Sequence, residues 1–140
     1  MTIIELMVVV LVIGALLAVA IPVFNGARGR ASDSVAKATA KIGYEAASVV
    51  FVDSADYAGV NPTTLAEAEG SISYTNGRSQ DPLTLSVRSR RAWFRAAVRS
   101  DTGRCFYVYA RPNQPTLYGS RERNNCRAQH ARLFATSPTW

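Results

Sequence analysis

Residues 1–24 read MTIIELMVVVLVIGALLAVAIPVF, and their single charged side chain, Glu5, stands near the head of a stretch built for hydrocarbon. From Leu6 to Phe24 there is no other charge. A helix of that length crosses a hydrocarbon core of about 30 Å, so a membrane segment is the first expectation. These residues cannot count toward a water-soluble core, which leaves roughly a hundred for one globular part.

Charge and cysteine usage narrow the class. The 140 residues are 48% hydrophobic with a formal net charge of +6. Residues 1–70 hold 4 basic and 7 acidic side chains, whereas residues 71–140 hold 12 basic and 3 acidic, a balance of +9 in the second half. Cys105 and Cys126 are too few for a zinc site of four cysteines and lack a C-x-x-C spacing. A single disulfide is their simplest use, and it implies an oxidising compartment.

The N-terminal run does not fit a cleavable secretory signal, because no basic residue precedes Ile3. As a plain anchor it meets a conflict. Arg28 and Arg30 would hold the C-terminal side in the cytoplasm, where a disulfide does not last. The two are reconciled if a basic leader preceded Met1, set the orientation and was removed, making Met1 a processed terminus.

The stretch TIIELMVVVLVIGALLAVAIPVF resembles the N-terminal segment of a mature type IV pilin. Family members carry an apolar first residue, then Thr, two aliphatics, Glu at the fifth place, an apolar helix with Gly near position 14, and Pro at 22. Here these are Met1, Thr2, Ile3, Ile4, Glu5, Gly14 and Pro22, with Met1 in place of the usual Phe. The match covers about the first 30 residues. It implies processing by a prepilin peptidase, a methylated N-terminus, and handling by an inner-membrane assembly machine.

Glu5 then acquires a role. A carboxylate at bilayer depth costs about 2.5 to 3.5 kcal/mol, so it persists where it finds a partner. The α-amino group is that partner, mostly cationic at neutral pH. The resemblance implies that the amine belongs to a neighbouring subunit, so that Met1 and Glu5 set axial register during assembly; pairing with its own Met1 amine or snorkelling to the headgroups is the local alternative. Pro22 removes a helix hydrogen bond and clashes with the carbonyl of Ala18, and Gly14, Gly26 and Gly29 weaken the helix further. These four positions are read as a hinge at which the helix bends or unwinds in a filament.

Beyond the hinge, Ala31, Val35, Ala38, Ile42, Ala46 and Val49 recur at spacings of three and four, opposite Arg30, Asp33, Ser34, Lys37, Lys41, Glu45 and Ser48. This predicts an amphipathic helix to about residue 53, its apolar stripe under a sheet. A short helix follows, with Thr63 or Thr64 as N-cap and Gly70 as the stop. Period-two alternation at Ile72 and Tyr74, then Leu83, Leu85 and Val87, then Phe94, Ala96 and Val98, then Phe106, Val108 and Ala110 predicts an antiparallel meander over about residues 71–111. Its opposite face would carry Arg95, Arg99, Tyr107 and Tyr109 as a candidate basic and aromatic surface. Cys105 and Cys126 would close the polar segment between them, a bridge contributing about 3 kcal/mol in the chain-entropy model. The resemblance implies that this loop serves filament contacts and partner specificity. The tail RLFATSPTW shows no usable period.

No catalytic, metal or cofactor constellation is legible: His130 is the lone histidine and has no carboxylate nearby in sequence, and there is no phosphate or dinucleotide fingerprint. The expected protein is a non-enzymatic α+β pilin of ladle shape. Residues 1–27 form the membrane segment and filament core, and residues 28–140 form the head, including helix 28–53 and the disulfide loop 105–126. Copies would leave the cytoplasmic membrane and polymerise into an extracellular pilus for adhesion, motility or DNA uptake. A type II secretion pseudopilin, a minor or DNA-receptor pilin, and a bitopic receptor with no filament are the alternatives. The head's arginines are expected to meet Asp33, Glu45, Asp53, Asp56, Glu67 and Glu69 of neighbouring copies, ahead of DNA as partner.

Overall fold

The computed structural model describes residues 2–140 and shows an α+β chain. A 52-residue helix, α1 (Ile3–Ser54), precedes a short helix α2 (Pro62–Ala68). Five strands follow: β1 (Ser73–Thr75), β2 (Thr84–Arg90), β3 (Trp93–Arg99), β4 (Arg104–Ala110) and β5 (Leu117–Glu122). A 3₁₀ turn (Ala128–His130) and helix α3 (Ala131–Phe134) end the chain. There are two compact units, with the boundary between Ala31 and Ser32.

In the first unit, α1 starts from a capping box. Glu5 N–H donates to Thr2 Oγ1 at 3.3 Å, and Thr2 N–H donates back to Glu5 Oε2 at 3.1 Å, satisfying two donors that a helix start leaves without partners. Leu, Ile, Val and Ala then carry the helix through Pro22. None of the apolar side chains from Ile3 to Phe24 is buried within the chain. The helix is long and apolar enough to cross a membrane.

The second unit packs the later part of α1 against the sheet, but on a face rotated from the expected stripe. Ser32, Ala36, Thr39, Ala40, Gly43, Ala46 and Ala47 are buried, while Ala31, Val35, Ala38 and Val49 are exposed. Close approach decides the face. A Cβ at Gly43 would overlap Leu85 Cδ2, so the helix lies on the sheet through its smallest residues, and the bulkier valines cannot take that side. Hydrophobicity alone points to the larger side chains; backbone proximity selects the smaller ones.

Strand order is β1-β2-β3-β4-β5. The meander from β2 is antiparallel as expected, with Leu85, Val87, Phe94, Ala96, Val98, Phe106, Val108 and Ala110 in the core with α1. Two features of the sheet differ from the expectation. β1 pairs parallel to β2, Tyr74 opposite Leu85, which makes the sheet mixed; alternation reports the face of a strand and not its direction. β5 adds a fifth strand from within the disulfide loop, antiparallel to β4 with Tyr118 opposite Val108, although its sequence is polar enough to read as loop. At α2 the N-cap is Asn61, whose Oδ1 accepts from Thr63 N–H at 2.9 Å and Thr64 N–H at 3.2 Å; Pro62 occupies the first turn.

The chain end forms a third layer. Ala131, Phe134 and Ala135 lie on the sheet face turned away from α1, with Cys105, Tyr107 and Cys126 beneath them. Gly119 permits this, since a Cβ there would overlap the Phe134 carbonyl. Ser137 bridges Tyr118 and holds the segment along β5.

Candidate functional site

Two sets of residues carry functional expectations, one in each unit. In the first, Met1 lies outside the described residues. Glu5 is solvent-exposed and, among the described residues, its carboxylate is engaged with Thr2 alone, three residues away, which leaves it acceptor capacity toward the described surface of α1. The hinge positions Gly14, Pro22, Gly26 and Gly29 all lie inside continuous helix. A side chain at Gly14 would meet nothing within 4 Å, and at Gly26 only the end of the Arg30 side chain at 3.7 Å. Neither glycine is required by packing within the chain, yet each costs up to about 1 kcal/mol against alanine in a helix.

In the second unit, Cys105 and Cys126 form a disulfide with Cα atoms 5.5 Å apart. It is buried beneath the C-terminal layer. The strap it closes contains β5, so the bridge clamps a sheet edge and the covering layer together.

The β3–β4 turn is pinned to α1 through Asp33. Its carboxylate accepts from Ser100 Oγ and, at 2.6 Å, from Thr102 Oγ1, while Asp101 N–H donates to Ser32 Oγ at 2.8 Å. Burial acts to raise the Asp33 pKa. The two hydroxyl donors and the positive charges of Arg104 and Lys37 outweigh it and hold the carboxyl below the ordinary aspartate value.

The predicted basic and aromatic face is divided. Tyr107 is not a surface residue. It is fully buried, its ring 5.4 Å from that of Phe134, because the chain end covers the middle of the sheet; burial pushes its phenol pKa up against the charge of Arg123. Arg99 is half-buried beside it, its backbone N–H donating to Ser79 Oγ at 2.8 Å. Arg95 and Tyr109 stay half-exposed and are joined by residues that sequence reading did not include. The Arg95 guanidinium lies 3.9 Å from the centroid of Trp93 and 5.0 Å from that of Tyr109, and Arg111 lies 5.1 Å from Tyr109 on the same ring system. Arg132 of α3 completes a cleft of about 510 Å³. Trp93 and Arg111 were legible in principle, since they continue the period-two register of Arg95 and Tyr109. Arg132 was not, because only the fold-back of the tail brings it there.

Comparison with protein-family models, with curated proteins and with solved structures finds no match. The functional reading therefore stands on the N-terminal sequence and on the geometry described above.

Proposed function

We propose that this chain is the structural subunit of a type IV pilus-like filament, held in the cytoplasmic membrane before assembly and displayed outside the cell afterwards. One observation supports it most: an apolar helical surface from Ile3 to Phe24, exposed throughout, that starts in a Thr2–Glu5 cap. Exposed apolar area of this extent demands a cover. Lipid supplies one before assembly, and the same helices of neighbouring copies supply one afterwards. Both environments are apolar, so transfer between them changes little hydrophobic energy, and Glu5 provides the register. Its free acceptor capacity meets the amine of an adjacent copy, a contact that repeats heterologously and does not close.

The disulfide suits display in an oxidising medium, and the exposed valines Val35 and Val49 add apolar area for neighbours on the head side of α1. The test is electron microscopy of fibres sheared from cells producing the chain with its leader, beside the same cells carrying Glu5→Ala. The proposal expects fibres composed of this chain and their loss in the variant, with membrane insertion retained.

A further inference from the structure

The sheet face turned away from α1 collects positive charge at one end. Arg88 of β2 sits directly opposite Arg95 of β3, which sits directly opposite Tyr109 of β4. Like charges in directly opposed positions destabilise a strand pair. No carboxylate relieves them locally: among the described residues, none lining the cleft of Trp93, Arg95, Tyr109, Arg111 and Arg132 is acidic. Arg88 and Arg127 line an adjoining cleft that is likewise without acid. Arg95 Nε is shielded from solvent and has no hydrogen-bond partner among the described residues.

The chemistry of the cations points to the anion. All 12 basic residues of 71–140 are arginine. Arg95 lies over the Trp93 ring and Arg111 over the Tyr109 ring, contacts that restrict both side chains, and a guanidinium fork so restricted binds the oxygens of a phosphate with less loss of freedom than a lysine does. The guanidiniums occupy aromatic faces that bases would otherwise stack on. The track therefore reads a backbone and not base identity. It also runs over several strands, from Arg127 through Arg88 and Arg95 to Arg111 and Arg132, which suits a chain of anions better than a single one.

Neighbouring copies are poorer donors of that charge than the sequence suggests. Of the six acidic positions expected to make such contacts, four are already engaged within the chain: Asp33 is held by Ser100 and Thr102, Glu45 pairs with Lys41, Asp56 pairs with Arg91, and Glu69 accepts from Ser71 N–H, which leaves the exposed Asp53 and Glu67 against 12 arginines. We infer that the Arg88–Arg95–Arg111–Arg132 track binds the phosphodiester backbone of nucleic acid, without sequence preference. This inference concerns the head alone and does not rest on filament formation.

The test is fluorescence anisotropy of the full chain in detergent micelles with an oligothymidylate, a mixed-sequence strand and a duplex of equal length, across about 50 to 200 mM salt. Equal affinity for the two single strands is expected. Arg95→Gln, Arg111→Gln and Arg132→Gln should each lower the logarithmic salt slope by about 0.7 for single strands and about 0.9 for duplex, roughly a fourfold loss near 0.15 M. Arg95→Lys keeps charge but not the fork and should lose affinity too. Arg104→Gln, on the opposite face beside Glu122, should bind as the parent does, with circular dichroism confirming the fold of each variant. An equal loss from Arg104→Gln would overturn the site. Competition by polygalacturonate as effective as by nucleic acid would overturn the ligand in favour of an acidic glycan, and absence of binding at 50 mM salt would overturn both.

Discussion

Thr2 and Glu5 cap each other: the Glu5 carboxylate accepts from the Thr2 N–H at 3.1 Å while the Thr2 hydroxyl accepts from the Glu5 N–H at 3.3 Å. One carboxylate therefore serves the helix start inside its own chain, and in the proposed filament it would also serve a neighbour's amine. The two uses can be separated by mutation. Thr2→Ala should cost about 1 kcal/mol of helix stability at the first turn and leave filament yield within a fewfold of the parent. Glu5→Gln retains an acceptor for the cap but removes the charge, and should abolish most filaments. Comparing fibre yields of the two variants, normalised to membrane-inserted protein, checks this; a normal yield from Glu5→Gln beside a loss in Thr2→Ala would show that the cap alone matters.

The rotated face of α1 gives a direct stability test. Gly43→Val forces a branched side chain into Leu85 and should destabilise the head by about 1 to 3 kcal/mol or more, the range for overpacking a filled core. Val35→Ser, on the stripe that periodicity placed inward, should shift stability by less than about 0.5 kcal/mol because the side chain is exposed. Denaturant midpoints of the detergent-solubilised variants decide between the two faces.

Legibility in the sequence followed the length scale of the determining interaction. The apolar run, the α+β class and the core alternation of Leu85, Val87, Phe94, Ala96, Phe106 and Val108 depend on local pattern and could be read. The Thr2–Glu5 capping box was equally readable as T-x-x-E. The buried side of α1 could not be read, because it is set by how closely Gly43 and the alanines let two backbones approach. The parallel direction of β1, the polar strand β5 and the burial of Tyr107 each depend on chain distant in sequence. For the candidate sites the same division holds: Glu5, Arg95 and Tyr109 were visible, whereas Arg132 joins them only through the returning tail.

Acid should loosen the joint between α1 and the β3–β4 turn. Asp33 has a folded-state pKa below its unfolded value, so the folded state binds fewer protons than the unfolded state in that interval. Its stabilising contribution is present above the ordinary aspartate pKa near 3.9 and is lost as pH falls through the lower folded value. Thermal unfolding of the parent should decline as pH drops below about 4 more steeply than that of Asp33→Asn, whose midpoint lacks this component of the pH dependence. Parallel curves would remove Asp33 from the account.

Reduction of Cys105–Cys126 should destabilise the head by about 3 kcal/mol, in keeping with a sequence separation of 21 residues. The loss should be concentrated in β5 and the C-terminal layer that the bridge clamps, and hydrogen exchange of the Tyr118 and Ala135 amides locates it. Uniform loss of protection across β2–β4 would contradict that assignment.

The most direct measurement of the central claim is a helical reconstruction of fibres sheared from cells producing this chain. A core made of residues 3–24 from many copies is expected, with each Glu5 carboxylate within ion-pair distance of a neighbour's N-terminal amine and α1 interrupted somewhere between Gly14 and Gly29. Cells that insert the chain in their membrane but yield no fibre containing it, or a fibre whose core excludes residues 3–24, would contradict the claim.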